Sequence, residues 1–314
     1  MMGRGLRFTR MAGGNGGYRE PSFKRPAGTT ADAVVQGCGL PMTDVVVLAA
    51  CAAFLLFLVG GRFATYAAMA GWSCIVLNLI LDLPAFIAAT NFLYPALALL
   101  AIPFLAITIV RLLREDPVVL RLSTTAAVAT LIFVPFALIP SLRDALIGIV
   151  ITLVFTLVTA LGYHPVWYAW DIIVENGFFN QIILGCTGIL AIAMMAGVIA
   201  GVPGATVRQR IAVIIPVAVL LFVLNTFRVA AVFIAVSNRW FDALPDPTGT
   251  GDANFFWAHN VIAEALAIVF LIMLVAGLSR VLPGLWVYAR DVVKIYLVDI
   301  LSVVRGSGPE SRRS

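Results

Sequence analysis

The sequence predicts an all-α, polytopic transmembrane helical bundle with seven or eight membrane-spanning helices. Of 314 residues, 61% are hydrophobic and 12% charged, against about 25% charged in ordinary soluble domains. Mean hydropathy is +1.02. Apolar runs also recur at a length that crosses a hydrocarbon core about 30 Å thick, which takes about 20 residues at about 1.5 Å each.

Taken in order, the runs are 44–60, 63–81, 92–112, 123–140, 145–161, 179–200, 211–236 and 256–278. The fifth has a second reading as an interfacial or re-entrant segment. Ahead of them, residues 1–41 are rich in Gly, Arg and Pro and lack a periodic apolar stretch. They form a disordered basic leader, because they cannot bury enough surface to fold. The leader is not a signal peptide, since no separate apolar stretch of about 7 to 15 residues follows its basic part. Met42 stands directly before the first run and is a second candidate start. Residues 42–279 make up a membrane-embedded catalytic domain, and 280–314 a cytoplasmic amphipathic tail.

The net charge of +5 is spread over the leader, short loops and tail, so it carries topology and headgroup contact, not a nucleic-acid surface. Arg208 and Arg210 precede the seventh run, and Arg280, Arg290 and Lys294 follow the eighth. The positive-inside rule puts both groups in the cytoplasm. The loop SNRWFDALPDPTGTGDANFF, acidic through Asp242, Asp246 and Asp252, then faces outward. Arg111, Arg114 and Arg121 join the cytoplasmic side if the N-terminus is external and 145–161 does not cross; with the leader retained and eight full spans they fall outside.

Cys38, Cys51, Cys74 and Cys186 lie far apart without the spacing of a disulfide framework or zinc site. There are two histidines, His164 and His259, and no H-E-x-x-H, which argues against a zincin-type metalloprotease. No metal or organic cofactor is implied. Cys51 and Cys74 read as small packing residues. His164, beside Pro165 and three aromatics, reads as interfacial.

Three residues remain expensive or oddly placed. Cys186 sits in G-C-T-G, flanked by Gly185 and Gly188, which remove bulk where a substrate backbone or partner helix comes close. Arg228 is well inside its run, and an ionisable group there costs roughly 2.5 to 3.5 kcal/mol on insertion scales. His259 lies near the outer end of the last run. Counting about 1.5 Å per helical residue from each outer end puts the three about 10, 13 and 5 Å deep. Thiol catalysis fits such a trio: a cysteine attacks as thiolate, which needs a base or a cation nearby. His259 can take the proton, and Arg228 can hold positive charge beside the thiolate or bind a developing oxyanion. Asn225, one turn from Arg228, either orients the guanidinium or forms an interhelical hydrogen bond. Glu264 stays unassigned.

G-C-T-G-I at 185–189, N-x-x-R at 225–228 and A-H-N at 258–260 together resemble the exosortase/archaeosortase family, nearest its archaeosortase A type, which acts on PGF-CTERM signals. The resemblance covers about residues 42 to 300. It implies a polytopic cysteine transpeptidase at the cell membrane, with its active site facing outward. Its partners would be surface proteins bearing a C-terminal sorting signal (short motif, transmembrane helix, basic tail) and a membrane lipid as acyl acceptor. By the resemblance, Cys186 matches the nucleophile, Arg228 the central arginine and His259 the third residue. That place holds His in many members and Arg in the A type, so His259, with Asn260 beside it, departs from the A type. Two other classes compete: a transporter that binds an anionic substrate at Arg228, and a membrane assembly factor without catalysis.

Overall fold

A computed structural model describes residues 42–88, 93–247 and 253–304. The basic leader with Cys38, and residues 305–314, lie outside the described residues. The helices are α1 (Met42–Val59), α2 (Ala64–Leu81), the short α3 (Leu83–Ala88), α4 (Leu93–Leu113), α5 (Pro117–Leu138) and α6 (Pro140–Ala160). A three-stranded antiparallel sheet follows, with β1 (Val166–Ala169), β2 (Ile172–Glu175) and β3 (Phe178–Gln181) in the order β1-β2-β3. After it come α7 (Ile189–Gly201), α8 (Val207–Ser237), α9 (Ala253–Val281) and α10 (Pro283–Val304). Among the described residues seven helices are long and apolar enough to cross a membrane.

Local signals set several boundaries. Asp116 caps α5 by accepting from the Val118 N–H at 2.9 Å, with Pro117 in the first turn, where a missing N–H costs nothing. α8 opens on a capping box between Thr206 and Gln209.

The run 179–200 is where the structure overturns the expectation of a crossing. Its first residues belong to β3, a 3-10 turn spans Leu184–Thr187, and α7 has only 13 residues. A helix of that length rises about 20 Å, short of the hydrocarbon core. The depth of Cys186 counted along a helix therefore has no basis, because the chain is not helical there. Averaged hydropathy hid the sheet. The hairpin signal is Asn176-Gly177, with φ of 52° and 79°, the pattern of a two-residue type I′ turn.

The element carrying Cys186 is held tightly. α7 packs on α5 through Gly197 and Gly201, a small-xxx-small pair. A β-carbon at Gly197 would run into the Thr125 carbonyl, and one at Gly201 into the Thr125 hydroxyl. A second apolar cluster joins Val150, Ile151 and Val154 of α6 to Ile173 and Ile182 of the sheet region, Cys186, and Phe233 of α8.

One end of the bundle gathers the basic residues. Arg111 donates to Asp299 of α10 through Nε at 2.8 Å and Nη2 at 2.7 Å, and its Nη1 reaches Asp116 at 3.0 Å. Tyr296 and Tyr288 of α10 bond Thr108 and Thr125 at 2.7 and 2.9 Å, and Arg210 donates to the Val202 carbonyl at 2.9 Å. The neighbourhoods of Arg111 and Arg210 thus share one end of the bundle, and α6, which carries the fifth run, is by length and composition able to cross. From that shared end α8 runs 31 residues to Ser237, about 46 Å.

Candidate active site

The sheet delivers the cysteine. In β2–β3 the register pairs Ile173 with Asn180 and Glu175 with Phe178, and the Ile182 N–H donates to the Asp171 carbonyl at 2.8 Å. Two residues later the chain tightens into the 3-10 turn, with the Cys186 N–H bonded to the Ile183 carbonyl at 2.8 Å. Gly188 ends the turn at φ 76° and starts α7. Only glycine fits there, because the left-handed conformation penalises a side chain and an added β-carbon would sit 2.9 Å from Asn225. Gly185 differs: a β-carbon there would meet only Ile183 Cδ1, at 4.0 Å.

α8 supplies the next two residues. Asn225 Nδ2 donates to the Cys186 carbonyl at 2.7 Å. Of its two sequence readings, the interhelical hydrogen bond is the one formed, and its partner is the cysteine's own backbone. Arg228 lies nine residues before Ser237, about 13 Å along the helix. Its Nε is buried and has no hydrogen-bond partner among the described residues.

His259 comes from the first turns of α9, where the winding is not α-helical. Phe256–Ala263 is a π-helix between the turn Ala253–Phe255 and the α-helix Glu264–Val281. Such widened turns are rare and recur at functional sites. The widening stacks Phe255 on His259, with centroids 4.8 Å apart and planes 17° from parallel. Asn260 Oδ1 lies 2.8 Å from His259 Nδ1. With Nδ1–H donating to that oxygen, Nε2 is the basic nitrogen. The acidic loop secures the start of α9: Asn254 accepts from the Phe241 N–H at 2.7 Å and donates to Asp242, and Trp257 donates to the Pro245 carbonyl at 2.9 Å.

Cys186, Arg228 and His259 meet at one small cavity of about 20 Å³, room for a single water-sized group. Ile182, Val229, Val232 and Phe255 form its apolar wall. Cys186 is 9% exposed. A permanent cation beside a thiol favours the thiolate, while an apolar wall opposes it, so Arg228 and the wall act in opposite directions. Asn180 of β3 also lines the cavity. Sequence reasoning missed it because the strand was hidden; the Asn176-Gly177 turn signal just ahead of it could have found the strand. Cys51 and Cys74 are free thiols outside the cavity. Glu264 does not line it.

The chain is 28% identical over 209 residues to archaeosortase A of Natronomonas pharaonis, covering 58% of this chain and 64% of that protein. It is 26% identical over 209 residues to archaeosortase A of Haloferax volcanii, covering 56% and 66%. The match thus spans under two thirds of the length of these relatives. No protein-family model matches the chain, and neither does a solved structure. The two similarities support the archaeosortase/exosortase family and a multi-pass membrane protein.

Proposed function

We propose that the chain is a membrane-embedded cysteine transpeptidase that cleaves the C-terminal sorting signal of surface proteins and passes them to a membrane lipid. The observation that carries this reading is the meeting of Cys186, Arg228 and His259, from three separate elements, at one cavity. A transporter site needs Arg228 but gives no reason for a cysteine and a histidine beside it.

In the proposed cycle His259 Nε2 takes the thiol proton and Cys186 Sγ adds to the scissile carbonyl. The electron pair of the C=O moves onto oxygen, to which the unpartnered Arg228 Nε–H donates a hydrogen bond. The C–N bond then breaks, the proton on His259 goes to the departing amine, and the substrate remains as a thioester. A nucleophilic lipid headgroup, or water, loses its proton to His259 and attacks the thioester, which releases the thiolate. Nucleophile, base and charge stabiliser therefore each have one residue.

By the positive-inside rule the end holding Arg111, Arg208 and Arg210 is cytoplasmic, which leaves the sheet and cavity toward the external leaflet. There the site meets a signal made of a short motif, one apolar helix and a basic tail. The proposal extends to a signal of the PGF-CTERM type, which is what the family resemblance of G-C-T-G-I, N-x-x-R and A-H-N implies.

The test is processing of a tagged substrate protein in cells. Cys186→Ala abolishes cleavage, while Cys51→Ala and Cys74→Ala retain it. Normal cleavage in Cys186→Ala overturns the mechanism.

A further inference from the structure

We propose that Asn180 is a further catalytic residue, whose side-chain amide donates a hydrogen bond to the oxyanion that forms when Cys186 adds to the substrate carbonyl. The placement rests on the strand. Side chains alternate along β3, and Asn180 and Ile182 both line the cavity with Cys186 and Arg228. The neighbouring amide shows the contrast: Gln181 is engaged, its Nε2 donating to Asp171 at 2.7 Å. Asn180 is 8% exposed, and its amide makes no hydrogen bond among the described residues, although unlike Arg228 Nε it is not fully shut off from solvent.

Buried side-chain amides are nearly always paired, and an unpaired one calls for an explanation. Here two donor groups without protein partners, the Asn180 amide and the fully buried Arg228 Nε, belong to residues that line one cavity sized for a single small group. A carbonyl oxygen that gains negative charge is the acceptor both lack. β3 suits the task because its pairing with Ile173, itself fully buried, fixes the amide before substrate arrives, and donors aimed in advance at developing charge are the effective ones. Asn180 is neutral, so it adds a donor without altering the charge that favours the thiolate.

Resting on the thiol chemistry proposed above, this assignment is tested in membranes holding the full chain, with two readouts. The first is cleavage of a substrate protein with its sorting signal, taken as kcat and KM. The second is the alkylation rate of Cys186 by N-ethylmaleimide. Asn180→Ala is expected to lower kcat about 10²- to 10³-fold with KM and alkylation within about twofold of wild type. Asn180→Leu, with the same branched skeleton but no polar atoms, should do the same and covers the case in which the alanine variant fails to accumulate. Cleavage within threefold of wild type in either variant overturns the assignment, and so does a parallel fall in alkylation, which would mark a role in holding the thiol. If Cys186→Ala also cleaves normally, it is the thiol mechanism that has failed; if Cys186 is essential and Asn180 is not, only this inference falls.

Discussion

The Asn225 side chain donates to the Cys186 carbonyl at 2.7 Å, so the helix that bears Arg228 grips the cysteine turn by its backbone and not by its sulfur. Loss of such a bond costs about 1 kcal/mol net, and more if the carbonyl stays buried without a partner. Asn225→Ala should therefore lower processing about tenfold while the protein still accumulates. Asn225→Asp should be worse, since it sets an acceptor against an acceptor. Immunoblots of substrate normalised to enzyme in the membrane make the comparison, and wild-type processing in Asn225→Asp contradicts the gripping role.

The two glycines beside Cys186 should respond differently. Gly188→Ala meets a left-handed backbone, which costs about 1 to 2 kcal/mol, and drives a methyl group into Asn225. Accumulation and processing should both drop. Gly185→Ala faces open space, so accumulation should match wild type, and any loss of processing then reports on substrate approach. Equal accumulation of the two variants would contradict this contrast.

Arg228 offers an unpartnered Nε–H, a donor that lysine cannot place in the same way because its ammonium is compact and lacks the planar fork. Arg228→Lys should reduce turnover about a hundredfold without loss of protein from the membrane. Equal turnover in a cell-based assay would reduce the requirement to charge alone.

For His259 the informative variable is pH. If Nε2 is the base for Cys186, His259→Ala should slow alkylation of Cys186 near pH 7, and the rate should recover toward pH 9, above the usual thiol pKa of about 8.5. His259→Arg should keep measurable alkylation, because a cation still favours the thiolate. Identical rates in wild type and both variants across pH 6 to 9 would uncouple α9 from the cysteine.

Composition and apolar run length were enough for the bundle, since a bilayer leaves few alternatives to helices. The bounds of α8 fell within a few residues of the run 211–236 for the same reason. Cys186, Arg228 and His259 were legible because each is costly or oddly set in an apolar stretch. The local backbone at two of them was not. A hydropathy window does not separate the short, mostly apolar strands β1 to β3 from helix, and nothing in FWAHNVIA announces a π-helix. Asn180 stands at the start of the run 179–200, where a polar residue is unremarkable in a helical reading.

The packing around the cysteine fixes one side of the site. The α7 side is confined at both ends, at Gly188 by Asn225 and at Gly197 and Gly201 by α5, and close-packed interiors deform little. The turn that carries His259 is tied to the loop before it through Asn254 and Trp257. An incoming polypeptide therefore meets a fixed anvil, and it is the substrate, not the sulfur, that must adjust to bring its carbonyl into line.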